Sequence, residues 1–256
     1  LGDSGFLHQQ AATMLAERLA ATNRKFIDRA LLFDGPLTEN VASWLSTPEE
    51  DGAIEFEIVP HIARTDGVLA LEPESKDLIV SVFELGQIEK LPELLIQILN
   101  ALKQDGLFLA ACLCGRSFEE LRDAFLVAES RAAAGVSTRV TQFPELRDLG
   151  NLLETFGFKL PVADLENRTI RYTRLETLFG DLRNTGCTYL PKDRTGPMSR
   201  KVVDEARRSY RENHADPDGK LRLTIEIGFL SGWKAHESQQ QPKRRGSAKN
   251  RLSDFL

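Results

Sequence analysis

Apolar residues recur along the chain with two different spacings, and each change of spacing falls beside a turn signal. In Phe6–Asn23, Leu7, Ala11, Met14, Leu15 and Leu19 stand three and four residues apart, with the stem of Arg18 on the same stripe. That spacing predicts an amphipathic helix. Arg29–Phe33 (RALLF) is a short unbroken apolar run stopped by Asp34-Gly35-Pro36, which predicts a buried strand and a turn. Thr38 is placed to cap a helix reaching about Leu45, with Glu39 favourable near its positive end. Thr47–Gly52 is a polar loop, and Ile54–Val59 alternates apolar with acidic residues up to Pro60, as a strand with one wet face does. Val68–Leu71 is a further short strand candidate. Asp77–Phe83 (DLIVSVF) is β-branched and nearly all apolar, the composition of a parallel strand covered on both faces. Leu91–Leu102 is an amphipathic helix with Pro92 in its first turn, where the missing N–H does no harm. Lys103–Gly106 is a turn and Leu107–Leu113 a second buried strand. Ser117 and Glu120 have the spacing of a capping box opening a helix to about Ala134.

Strand and helix signals thus alternate from Arg29 to Ala134, which predicts a parallel sheet with right-handed crossovers. Beyond that the order changes. Glu145–Phe156 is helical, Leu160–Asp164 and Thr169–Tyr172 are short strand-like pieces, and Leu175–Asn184 and Ser199–Asn213 are helical. Leu221–Gly232 (LRLTIEIGFLSG) alternates cleanly as a long strand, suited to an antiparallel place near the sheet edge. Glu237–Leu256 is polar, with Lys243, Arg244, Arg245, Lys249 and Arg251 clustered. No internal repeat is visible.

The 256 residues are 41% hydrophobic and 28% charged, enough for one sizeable core. A net charge of -5 gives no electrostatic case for nucleic acid, and the basic tail reads as a solubilising terminus. The longest apolar runs are too short to cross a bilayer, no apolar leader opens the sequence, and a cytoplasmic location is the expectation. Cys112 and Cys114 project to one face of a strand and read as small apolar residues in a reducing compartment rather than a metal or redox pair. His8, His61, His214 and His236 share no ligand spacing, so no metal is expected. No Ser-His-Asp, Cys-His, paired-carboxylate or phosphate-loop arrangement is apparent. Methyl transfer needs none of these, only an aligned nucleophile and exclusion of water.

Several segments together resemble one family. They are Phe6-Leu7-His8, Leu102-Lys103-x-Asp105-Gly106-Leu107-Phe108, Phe118-Glu119-Glu120-Leu121-Arg122, Phe143-Pro144-Glu145-Leu146-Arg147-Asp148-Leu149-Gly150 and Gly157-Phe158-x-Leu160-Pro161-Val162-Ala163-Asp164. Gly232-Trp233-Lys234-x-His236-x-Ser238-Gln239, followed by Gly246-Ser247-Ala248, is the strongest. The family is the class I S-adenosylmethionine-dependent methyltransferase-like proteins, and in particular the bacterial relatives of a mitochondrial complex I assembly factor described as an arginine hydroxylase. The resemblance covers almost the whole chain. It implies a Rossmann-like α/β fold, with a mostly parallel seven-stranded sheet, an antiparallel edge hairpin and a small helical insertion. The expected organisation is an N-terminal helix over 1–28, the α/β domain over 29–236 with the insertion at 174–216, and a basic tail over 237–256.

The resemblance also implies S-adenosylmethionine at the carboxyl ends of the strands, where the strand order reverses. The family's cofactor loop carries an acidic residue and several glycines. Glycine lets the backbone approach the ligand, and free N–H groups receive the methionine carboxylate. Here that loop is Leu32-Phe33-Asp34-Gly35-Pro36-Leu37. One glycine remains, Pro36 has no N–H, and the acidic residue falls opposite Leu32 or Phe33 unless the register slips to Asp34. Asp34 and Gly35 are the loop's cofactor-binding candidates. The ribose carboxylate's place is Ile58-Val59-Pro60, while Glu55 and Glu57 read as a solvated strand face. Asp66 stands where relatives hold the adenine amino group, or is a turn residue beside Gly67. Glu84 faces the cleft or solvates a helix start. Trp233 reads as a core plug and His236 as an exposed hydrogen-bonding residue. Three functions follow: an active methyltransferase, a methyltransferase-like protein serving as assembly factor for a protein such as a respiratory complex subunit, or an arginine hydroxylase. The glycine-poor loop favours a non-catalytic or altered-cofactor protein.

Overall fold

The apolar runs around Arg29 and Asp77 lie side by side at the centre of a sheet, as strands wet on neither face must. A computed structural model describes residues 5–22, 24–33, 35–46, 55–59, 68–85, 88, 90–132, 139–184 and 198–239. Its strands are β1 (Arg29–Leu32), β2 (Glu57–Val59), β3 (Lys76–Val82), β4 (Leu102–Leu113), β5 (Lys159–Tyr172) and β6 (Leu221–Trp233). Its helices are α1 (Phe6–Ala20), α2 (Thr38–Trp44), α3 (Leu91–Ala101), α4 (Glu119–Ala132), α5 (Leu146–Thr155), α6 (Leu175–Asn184) and α7 (Arg200–His214). The strands follow the order β2-β1-β3-β4-β6-β5. The first four are parallel, and β6 runs antiparallel to both β4 and β5.

Side chains of successive strand residues point to opposite faces, so β1, β3 and β4 feed two cores at once. On one face Leu31, Val80, Leu109 and Phe229 pack under α1, α4, α6 and α7. On the other, Leu32, Ile79, Phe108 and Leu230 pack under α3 and α5. The result is a three-layer α/β/α arrangement, with α6 and α7 inserted between β5 and β6. No described helix is long and apolar enough to cross a membrane.

Several local expectations shift. Six strands form among the described residues, against the seven the resemblance implies: Val68–Leu71 is coil, and the Leu69 N–H donates to Gln97 Oε1 on α3 at 2.7 Å instead of joining a ladder. Leu160–Asp164 and Thr169–Tyr172 are one continuous strand, β5, set by pairing with β6. The capping box does not form. Ser117 donates to Cys114 O at 2.8 Å, and Glu120 turns to β6, accepting from the Thr224 N–H at 2.9 Å and hydroxyl at 2.5 Å. A buried carboxylate that accepts two hydrogen bonds outweighs a capping bond, since leaving the Thr224 donors unpaired costs more. Ser199, by contrast, caps α7 by accepting from the Val202 N–H at 3.3 Å.

Candidate functional site

Strand order reverses between β1 and β3, because the chain leaves β1 for β2 on one side and β3 for β4 on the other. In open α/β sheets the crevice outside those two carboxyl ends is where ligands bind. Phe33 follows the last residue of β1 and Phe83 the last residue of β3, and both are buried. Phe83 has φ 59°, a left-handed conformation costly for a bulky residue. It lets Val82 and Phe83, though consecutive, both enter the core on the α1 side. Into the gap between the two phenyl rings α1 inserts His8. Its ring centroid lies 5.2 Å from that of Phe33 and 5.0 Å from that of Phe83, both edge-on. His8 is 1% exposed, its Nδ1 has no hydrogen-bond partner, and burial drives its pKa down to about 4.

The loop after β1 closes on itself. The Gly35 N–H donates to Thr38 Oγ1 at 3.0 Å, and the Thr38 hydroxyl donates back to Gly35 O at 2.7 Å. Thr38 is therefore a turn closer rather than the expected cap; the N-cap is Leu37, which has no capping side chain. A Cβ on Gly35 would lie 3.6 Å from Phe33 Cζ, so that ring sits beside the turn. Glu39 lies in the first turn of α2.

Of the sequence candidates, Gly35 and Glu84 are half-buried at the ends of β1 and β3, and Glu84 is not without a polar partner. Asp34 and Asp66 lie outside the described residues. Trp233 and His236 are at the opposite edge, because β6 ends where β4 begins. There Trp233 packs near Phe26, Lys234 donates to Leu102 O at 2.7 Å, and the exposed His236 meets the Ser238 hydroxyl at 2.7 Å. Gln239 ties Asp105 to Lys234 O. The GWKxHxSQ segment is thus a clamp on the start of β4, where Lys103–Gly106, expected as a turn, lie within the strand, and it takes no part in the crevice. Cys112 and Cys114 are buried, and loss of water pushes both thiols up, Cys114 to about 12.

Beyond β4, on the crevice's edge of the sheet, a hollow of about 340 Å³ is lined by Glu119, Glu120, Asp123, His214 and Arg222. Its carboxylates are engaged: Glu119 with Arg116, which holds the carboxyl below its usual range, Glu120 with Thr224, and Asp123 with His214 at 3.9 Å. Sequence reading did not single out Phe33, Phe83 or His8 as crevice residues. The available signal was an aromatic at the end of each central strand and a histidine on the apolar stripe of α1.

A Bacillus halodurans structure described as that of a candidate methyltransferase superposes with a TM-score of 0.52, at 11% identity over 88% of this chain and 99% of its own. No family model matches the chain. The fold is that of the class I S-adenosylmethionine-dependent methyltransferases. Among the chain's homologues is the human protein named arginine-hydroxylase NDUFAF5, mitochondrial, 34% identical over 70% of this chain and 52% of that protein. Another is malonyl-[acyl-carrier protein] O-methyltransferase of Laribacter hongkongensis, 28% identical over 65% and 54%. The chain spans about half the length of the curated relatives it matches.

Proposed function

We propose that this methyltransferase-like protein has given up methyl transfer and acts as a binding or assembly factor for a protein partner, a respiratory complex subunit being the class that the family resemblance implies. The observation carrying this reading is the meeting of His8, Phe33 and Phe83 at the switch crevice. S-adenosylmethionine needs a close backbone approach and free N–H groups for its carboxylate. Here the Gly35 N–H is spent on Thr38, Pro36 has none, and Glu39 adds like charge beside the site. The residues present do not fit the group. Saturating ligand, at about 100 times its dissociation constant, would add roughly 2.7 kcal/mol of stability. The expected result is an unchanged melting temperature with S-adenosylmethionine; a clear upward shift refutes the reading.

The name of the human homologue supports a second reading, in which the fold modifies an arginine of the partner by hydroxylation. Mass spectrometry decides it: a hydroxylated arginine on a co-purifying partner, lost when this protein is deleted, favours it over simple binding.

A further inference from the structure

Among the described residues no strand pairs with the outer side of β5, and an open edge is a template for another strand. Which of its backbone groups are free follows from the bonds of β6. Cys114 N–H donates to Glu226 O at 3.0 Å, Phe118 N–H to Thr224 O at 2.9 Å, and the Glu226 N–H to Ser117 Oγ at 2.9 Å. Glu226 and Thr224 therefore spend their backbone groups on the side away from β5. Their partners across the ladder, Asn167 and Thr169, are non-hydrogen-bonded pairs with them and point their own N–H and C=O outward. The same alternation turns Ala163, Leu165 and Arg171 outward. In keeping with this, the Leu165 N–H is taken by its neighbour Asp164 Oδ1 rather than by β6.

We infer that β5 pairs antiparallel with β5 of a second copy of this chain, about a two-fold axis through Asn167. A two-fold antiparallel contact pairs residues equally distant from the axis. With Asn167 on the axis, Leu165 faces Thr169, Ala163 faces Arg171, and each is an outward-pointing position, so every such pair exchanges two backbone hydrogen bonds once the Leu165 N–H is released from Asp164 Oδ1. On the alternate face Glu166 of each copy stands opposite Arg168 of the other. Within one chain these two side chains already pair at 2.7 Å; the contact exchanges that pair across the interface. Neighbouring registers lose this match. An axis at Glu166 sets carboxylate against carboxylate, one at Arg168 sets guanidinium against guanidinium, and one at Leu165 sets Asp164 against Glu166, and like charges directly opposite are destabilising. Val162 and Leu165, 58% and 39% exposed, gain cover in the chosen register. Pro161, which has no N–H, together with the register shift before Val162, ends the usable edge there.

Sedimentation of the full chain over a wide concentration range tests this. The expected result is a molar mass that doubles with concentration. Arg168→Glu places Glu opposite Glu and keeps the mass at that of one chain. The exchange Glu166→Arg with Arg168→Glu restores opposite charges and the doubling, even though both variants lose the Arg168 contact with Gln10. Asn167→Pro removes an N–H that the single chain does not use, so it leaves the melting temperature near that of the parent while abolishing the doubling. A single-chain mass for the parent at every concentration overturns the inference. So does a doubled mass that survives both Arg168→Glu and Asn167→Pro, or one that the charge exchange fails to restore.

Discussion

His8 is buried with its Nδ1 unpaired and its ring set edge-on to Phe33 and Phe83. Its pKa, lowered from 6.5 to about 4 by burial, means that the unfolded chain takes up a proton before the folded one does. The neutral imidazole's contribution is therefore fully present above pH 6.5 and is lost progressively as pH falls towards 4. The difference amounts to about 3 kcal/mol. Urea unfolding at pH 7 and pH 4 checks this: the parent should lose about 3 kcal/mol more than a His8→Leu variant over that interval, and equal losses would show that the imidazole is already charged or hydrated.

Among the elements, the central strands β3 and β4 were legible in the sequence because burial on both faces leaves an unbroken apolar run. The strand β5 was legible only as two short pieces at its ends, since Leu165–Arg168 carry no apolar alternation and only the ladder with β6 joins them. The Ser117–Glu120 spacing misled for a related reason: a tertiary acceptor role for Glu120 towards Thr224 is invisible at short range. The GWK segment was visible as a motif, but its reason lies in packing. A Cβ on Gly232 would sit 2.9 Å from Phe158 Cβ, an atom fixed by its own backbone and buried. Gly232→Ala should then cost about 1–3 kcal/mol through overpacking, read as a fall in the denaturation midpoint with unchanged slope. No loss of stability would mean that β5 and β6 yield at this point.

At the scale of the whole molecule, the reversal of strand order brings residues 8, 33 and 83 together, and no local window of sequence contains all three. The glycine-poor loop after β1 was legible as a departure from the family pattern; that aromatic rings and a helix-borne imidazole meet there was not, because it depends on the sheet's topology and on α1 bringing His8 between Phe33 and Phe83. The central claim is that the chain's own rings fill the switch crevice. It is tested most directly by nuclear magnetic resonance of the His8 imidazole, recorded with its contacts to Phe33 and Phe83 while S-adenosylmethionine is added to large excess. The His8 signals and both ring contacts are expected to stay unchanged throughout the titration. A ligand-dependent shift of His8 with loss of those contacts would contradict it.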